Sequence, residues 1–225
     1  MVQAAGVVVD EVQSTGARLV GITGGVAAGK STLAVLVAAV LDAPVLATDG
    51  FLHPNAVLAD RDLTQRKGFP ESFDADALAA ALDRWRAEGE VEVPVYSHLL
   101  YDVVPPPVRL AGERLVVEGL HLGHPALGVR QRFDLLVHID ADEADLARWF
   151  LERFRQLRAD AADVPGAFLH PFRDLPADTV EAMAMDVWRA VNVAVLEEEV
   201  RPWEGAADLV LRLGPDHEVL DVVRG

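Results

Sequence analysis

Cysteine is absent from the 225 residues, which excludes a disulfide framework and any thiolate metal centre. Lysine is almost absent: Lys30 and Lys67 are the only two, and arginine supplies the other eighteen basic residues. Positive charge is scarce overall, leaving a formal net charge of -16. The mean field therefore repels polyanions, and no Lys/Arg block offers a footprint for DNA or RNA, so nucleic acid is excluded as a partner. Although 51% of residues are hydrophobic, no apolar run reaches the roughly 18 to 20 residues of a membrane span. The opening stretch MVQAAGVVVDEVQSTGA lacks the basic start and cleavable apolar core of a secretory signal. A soluble, cytoplasmic protein with no membrane partner is expected.

The length suits a single domain over 1–225, and neither a repeat nor a change of composition divides it. Buried runs alternate with helical periodicity, predicting an α/β fold: a mostly parallel sheet with helices on both faces in three αβα layers. Strands are expected at 18–23, 43–49, 114–119 and 133–140, with a late hairpin formed by 207–213 and 217–223 around Gly214 and Pro215. Helices are expected at 30–42, at 73–89 with Asp74 as cap and Gly89 as stop, from near Asp142, and from about 177 to 200. Segment 158–176 is rich in Pro and turn residues and reads as a flexible flap.

GITGGVAAGKST, from Gly21 to Thr32, has the spacing of a phosphate-cradling loop between a strand and a helix. Backbone N–H groups of Gly25, Val26, Ala27, Ala28, Gly29, Lys30 and Ser31 are positioned to meet phosphate oxygens, helped by the helix N-terminus, while Gly24 and Gly29 permit backbone angles or a close approach that a Cβ would obstruct. Lys30 would span the β and γ phosphates of ATP, and the Ser31 hydroxyl would ligate Mg²⁺, with Thr32 beside it. The use of lysine here, in a chain that otherwise prefers arginine, fits the need for a compact ammonium. Asp49 and Glu118 stand where strand ends would deliver carboxylates for a metal or a proton. On residue grounds alone each also reads as a cap or turn residue.

Three further segments, TDGFLHPN (48–55), KGFPESFD (67–74) and PVYSHLLYDVVP (94–105), together with EGL (118–120), resemble the bacterial type I pantothenate kinases. These belong to the phosphoribulokinase and uridine kinase group of P-loop kinases, and the likeness runs in order from about Arg18 to the C-terminus. The resemblance implies a P-loop kinase fold and ATP-dependent, Mg²⁺-assisted phosphorylation of the primary hydroxyl of pantothenate. It implies Asp49 as the base facing that hydroxyl, Lys30 on the transferring phosphoryl group, and Glu118 with Ser31 at the metal. Tyr96, His98, Tyr101, Phe150, Arg153 and Asn192 would line the acceptor pocket, Arg153 also facing phosphate, and His217 would lie near the adenine. A homodimer and feedback inhibition by coenzyme A are implied as well.

The chain departs from that pattern in places. Phe150 stands where the family commonly has tyrosine, Leu213 replaces a basic residue, and the family carries a longer segment before the P-loop strand. An apolar replacement for a hydroxyl contact is more permissive, which leaves open a kinase acting on another alcohol, such as a nucleoside or sugar. Without the resemblance, Trp149, Phe150 and Phe154 at helical spacing read as core, and His98 as a loop histidine. A regulatory nucleotide binder without phosphotransfer is the remaining alternative, and the lack of a guanine-reading NKxD signature counts against it.

Overall fold

Leu19–Gly24 (β1) is buried at every position, which an apolar run tolerates only when both faces of its sheet are covered. The computed structural model describes residues 1–225 and supplies that cover. The other strands are Val45–Ala47 (β2), Glu90–Ser97 (β3), Asp102–Ala111 (β4), Leu115–Glu118 (β5), Leu135–Ala141 (β6), Leu209–Leu213 (β7) and Val219–Arg224 (β8). Six of them form one sheet in the order β2-β5-β1-β6-β7-β8. All neighbours are parallel except β8, which returns antiparallel to β7 through the expected turn at Gly214 and Pro215. β3 and β4 form a separate antiparallel ribbon.

The helices are Val2–Thr15 (α1), Lys30–Leu41 (α2), Asn55–Asp60 (α3), Ala75–Glu88 (α4), Glu143–Ala161 (α5) and Ala177–Val187 (α6). One sheet face packs against α1, α2 and α5 through Val8, Leu33, Val37, Leu146 and Trp149. The opposite face packs against α4 and the turns of 122–133 through Leu78, Leu82, Trp85, Leu122 and Phe133. The three-layer expectation is met. Helix α4 follows its sequence signals closely: the Asp74 carboxylate accepts from Ala77 N–H, and Gly89 closes the helix at φ 74°.

Three local expectations are corrected. The second strand stops at Ala47, because Thr48–Phe51 turns as a 3₁₀ helix beneath the ribbon, so Asp49 rides on a turn rather than a strand end. Helix α5 continues to Ala161, so only 162–176 of the presumed flap is a chain of turns. The helix expected to reach 200 is α-helical only to Val187 and proceeds as π-helical turns, Trp188–Asn192 and Val195–Val200, which bury Trp188, Val195, Leu196 and Val200 against the sheet. The ribbon and α1 had no counterpart in the sequence analysis. Pro105, Pro106 and Pro107 bulge within β4: Val93 pairs with Val108 and Val95 with Val104.

Gly50 shows how tightly the Asp49 turn is seated, since a Cβ at this position would lie 2.2 Å from the Pro94 carbonyl oxygen. We predict that Gly50→Ala destabilises the chain by about 1 to 3 kcal/mol, as overpacking typically does. A lower urea midpoint with an unchanged slope is the expected signature; a wild-type midpoint would mean that the turn yields freely.

Candidate active site

The phosphate loop begins where β1 ends. Gly24 leaves the strand at φ 145°, and a Cβ there would stand 2.4 Å from the Ile139 carbonyl oxygen. Gly29, at φ 87°, enters α2 with no side-chain cap bond. The first N–H groups of α2 therefore lack an intrahelical partner and carry the positive end of the helix dipole. Lys30 folds back so that its ammonium donates to the Gly25 carbonyl at 2.8 Å, and the Ser31 hydroxyl donates to Glu118 Oε1 at 3.0 Å. Thr32 is exposed one residue further along the helix.

Burial pushes the Lys30 pKa down against the opposing pull of Glu118 and Asp49, and pushes the Glu118 pKa up against the opposing pull of Lys30. Desolvation thus holds both groups towards neutrality. A triphosphate with a divalent cation would supply each with the countercharge it lacks. The donors available to a metal here are a hydroxyl and a carboxylate, both hard oxygen ligands suited to Mg²⁺.

Register brings the second half of the site alongside. Glu118 pairs with Ile22 of β1 on one side and with Ala47 of β2 on the other. The loop, Glu118 and the Asp49 turn consequently leave the sheet at one carboxyl edge, where an open α/β sheet binds its ligands. Gly119 is required for this convergence, because a Cβ there would meet Thr48 Oγ1 at 1.9 Å.

Over Asp49 stands the ribbon. His98 Nε2 lies 3.9 Å from Asp49 Oδ2 and 3.1 Å from an Arg153 guanidinium nitrogen. Arginine only donates, so this ring nitrogen accepts and the imidazole is neutral. Partial burial and then the Arg153 charge lower the His98 pKa, in agreement. The Asp49 carboxylate is thereby left without a salt bridge to His98. Tyr96 meets His98 edge-on at 5.1 Å and Tyr101 at 6.2 Å, while Phe168 stacks on Tyr101 at 4.5 Å. Phe168 N–H also donates to the Leu99 carbonyl, so the turns of 162–176 lie against the ribbon tip.

Asp49, Lys30, Glu118, Ser31, His98, Arg153, Tyr96 and Tyr101 are therefore gathered at one edge. Phe150 instead packs between Phe154 and buried Trp188, at 6.4 and 5.2 Å. Asn192 sits on the π-helical turn that begins at Trp188. His217 stacks on Trp149 at 3.8 Å, with its ring edge 3.7 Å from the Cβ position of Gly29, which puts it beside the phosphate loop. A cluster of His138, Asp140 and Glu204 has the spacing of metal ligands, but Arg212 bonds both carboxylates and reads as their counterion.

Two residues of the site had been passed over. The Lys67 ammonium lies 3.9 Å from the Tyr101 ring centre and donates to Asn55 Oδ1 and the Tyr101 carbonyl at 2.6 Å each. Its rarity in the sequence was the available signal. His121, buried three residues beyond Glu118, gave no signal, because its partner is the carbonyl of Gly68.

The model of the phosphoribulokinase/uridine kinase family matches residues 19–160. The chain belongs to this family. Among curated relatives, a pantothenate kinase of Streptomyces coelicolor is 41% identical over 221 residues, covering 89% of this chain and 67% of the relative. One of Sorangium cellulosum is 43% identical over 216 residues, covering 89% and 70%. A Silicibacter protein proposed as a fructose transport system kinase superposes with TM-score 0.64 at 23% identity, covering 86% of this chain and 88% of that one. A Saccharomyces cerevisiae protein proposed as a P-loop kinase with a circular permutation superposes with TM-score 0.65 at 12% identity, covering 87% and 95%. At these identities the structural likenesses speak for the fold. No helix of this family member is long and apolar enough to cross a membrane.

His121 and His138 give the fold a pH dependence. Burial lowers both pKa values to about 4, against about 6.5 for a free histidine. Between those values the unfolded chain binds more protons than the folded one, so stability rises with pH through that window. We predict that acidification from pH 6.5 to 4 lowers the melting temperature, with each histidine contributing at most about 1.4 kcal/mol per pH unit. His121→Gln should flatten the profile measured by calorimetry; an unchanged slope would remove His121 as a contributor.

Proposed function

We propose that this protein transfers the γ-phosphoryl group of ATP to the primary hydroxyl of pantothenate. The observation that carries the reading is the gathering of Asp49, His98 and Arg153 beside the phosphate loop, in a chain about two-fifths identical to enzymes named pantothenate kinase. In this reaction the hydroxyl oxygen attacks the γ-phosphorus, its proton passes to Asp49, and the bond to the bridging oxygen breaks to release ADP. A primary alcohol is a weak nucleophile, and a positioned carboxylate typically contributes about 10²- to 10⁴-fold.

Lys30 and Arg153 stabilise the charge that spreads over the transferring group. Ser31 and Glu118 would hold Mg²⁺, which when bound would supply countercharge to the phosphate oxygens. On the acceptor side, Tyr96, His98, Tyr101 and Asn192 offer polar contacts, Phe150 an apolar wall, and Lys67 a cation suited to an acceptor that carries a carboxylate. Neutral His98 presents a donor at Nδ1 without competing for the Asp49 carboxylate. His217, stacked on the buried Trp149, stands at the edge that receives the base of the nucleotide. A cytoplasmic location, homodimerisation and feedback by coenzyme A belong to the same reading and rest on likeness to the family.

Coupled ADP release should be measured with Mg-ATP and, in turn, pantothenate, pantetheine, uridine and a series of sugar alcohols. Turnover is expected with pantothenate. Turnover with uridine or a sugar alcohol and none with pantothenate would transfer the assignment to that acceptor. Asp49→Asn should keep ATP binding while reducing kcat by about 100-fold or more; near-normal turnover would remove Asp49 as the base. Phe150→Tyr is predicted to lower KM for pantothenate, and an unchanged or higher KM would show that the ring serves only its contacts with Phe154 and Trp188.

A further inference from the structure

Gly68, immediately after Lys67, is held at both of its backbone polar groups. Its N–H donates to Ser72 Oγ at 3.0 Å, and its carbonyl lies 2.7 Å from His121 Nε2. Ser72 is fully buried, and its own hydroxyl proton goes to the Phe69 carbonyl at 2.7 Å, which leaves a lone pair facing Gly68. Gly68 has φ 97° with open space around its Cβ position, so glycine is used there for the backbone angle rather than for room. The loop is thus drawn into an unusual conformation and pinned on either side of one residue.

The chemistry of His121 is out of proportion to a packing role. A carbonyl oxygen only accepts, so Nε2 must carry the ring proton and Nδ1 presents a bare lone pair. That Nδ1 is buried and makes no hydrogen bond of ordinary geometry, in a residue only 1% exposed whose ring also faces the Glu199 backbone. An unpaired buried acceptor is unfavourable, and an apolar side chain of similar volume would avoid it. The neighbours fix the ring: Phe73 meets it edge-on at 5.7 Å and His124 at 6.1 Å. His124 is itself braced, accepting at Nδ1 from Ala126 N–H and lying 3.0 Å from Glu199 Oε2 through Nε2. What the strained arrangement secures is the direction of the chain at Lys67.

We propose that His121 is a positioning residue: by holding the Gly68 carbonyl it sets the backbone from which Lys67 reaches the acceptor side, and it ties that reach to the strand end that carries Glu118. The inference rests on the reading of this edge as a kinase site with an acceptor pocket beside Tyr96 and Tyr101. It predicts that loss of the Nε2 donor disturbs Lys67 and acceptor use while leaving nucleotide binding nearly intact.

The test compares His121→Gln, whose amide nitrogen reaches the position of Nε2, with His121→Asn, whose amide ends short of the Gly68 carbonyl. Because the chain has two lysines, ¹³C-lysine labelling gives two side-chain Cε signals, and that of Lys67 is displaced by the Tyr101 ring. In His121→Asn the displacement should collapse, KM for the acceptor should rise by about tenfold, and KM for ATP should stay within about twofold. His121→Gln should remain close to wild type in all three. An unmoved Lys67 signal in the Asn variant, equal increases in both KM values, or Gln and Asn variants that behave alike would overturn the proposal. Loss of the Tyr101-induced displacement in the Gln variant would also overturn it, and that variant decides the matter should the Asn chain fail to fold. Wild-type inactivity towards pantothenate would count against the acceptor assignment alone, since the Lys67 signal is read without substrate.

Discussion

Glu118 has Ile22 as its register partner on one neighbouring strand and Ala47 on the other, and the whole site depends on that alignment. Because β2 and β5 end in step, and β1 runs only two residues further, the phosphate loop, the buried carboxylate and the Asp49 turn emerge side by side without a specialised insertion. A register slip of β2 by one residue would exchange its buried and exposed faces and carry Asp49 away from the edge. The hydrogen bond from Ser31 to Glu118 then fastens the first turn of α2 to the central strand of the three.

Electrostatics complete what the register begins. The molecule as a whole is strongly acidic, yet Lys30, Lys67 and Arg153 converge on the carboxyl edge with the N-terminus of α2. Lys30 is desolvated near Glu118 and Asp49, Lys67 lies over the Tyr101 ring, and Arg153 donates to the His98 ring nitrogen. Such an arrangement binds an anion through local, directed donors rather than through a broad positive field. It also explains why arginine cannot stand in for Lys30, whose narrow ammonium turns back onto the Gly25 carbonyl inside a tight loop.

Legibility in the sequence follows the range of the interactions. The loop, α2, α4 and the buried strands were readable, because their signals are local: glycine spacing, caps and apolar runs. Asp49 was singled out but misplaced onto a strand, since its 3₁₀ turn is seated against the sequence-distant Pro94 carbonyl, which leaves no room for a Cβ at Gly50. The ribbon was hidden because its prolines speak against a strand unless they are seen to bulge from it. Helix α1, with its run of valines, and the π-helical turns after Val187 owe their form to burial on the sheet. The residues proposed for the acceptor were nominated through resemblance, whereas Lys67 and His121 become meaningful only when residues 55, 68 and 101 are brought to them.

The prolines of β4 also bear on how the protein behaves in company. A ribbon of only two strands has an outer flank that no further strand of its own sheet covers, and free donors along such a flank invite a stranger's backbone to dock. Pro105, Pro106 and Pro107 are exposed and have no amide hydrogen to offer. The ribbon that carries Tyr96, His98 and Tyr101 over Asp49 is thereby guarded against edge-to-edge pairing at the cost of a regular ladder.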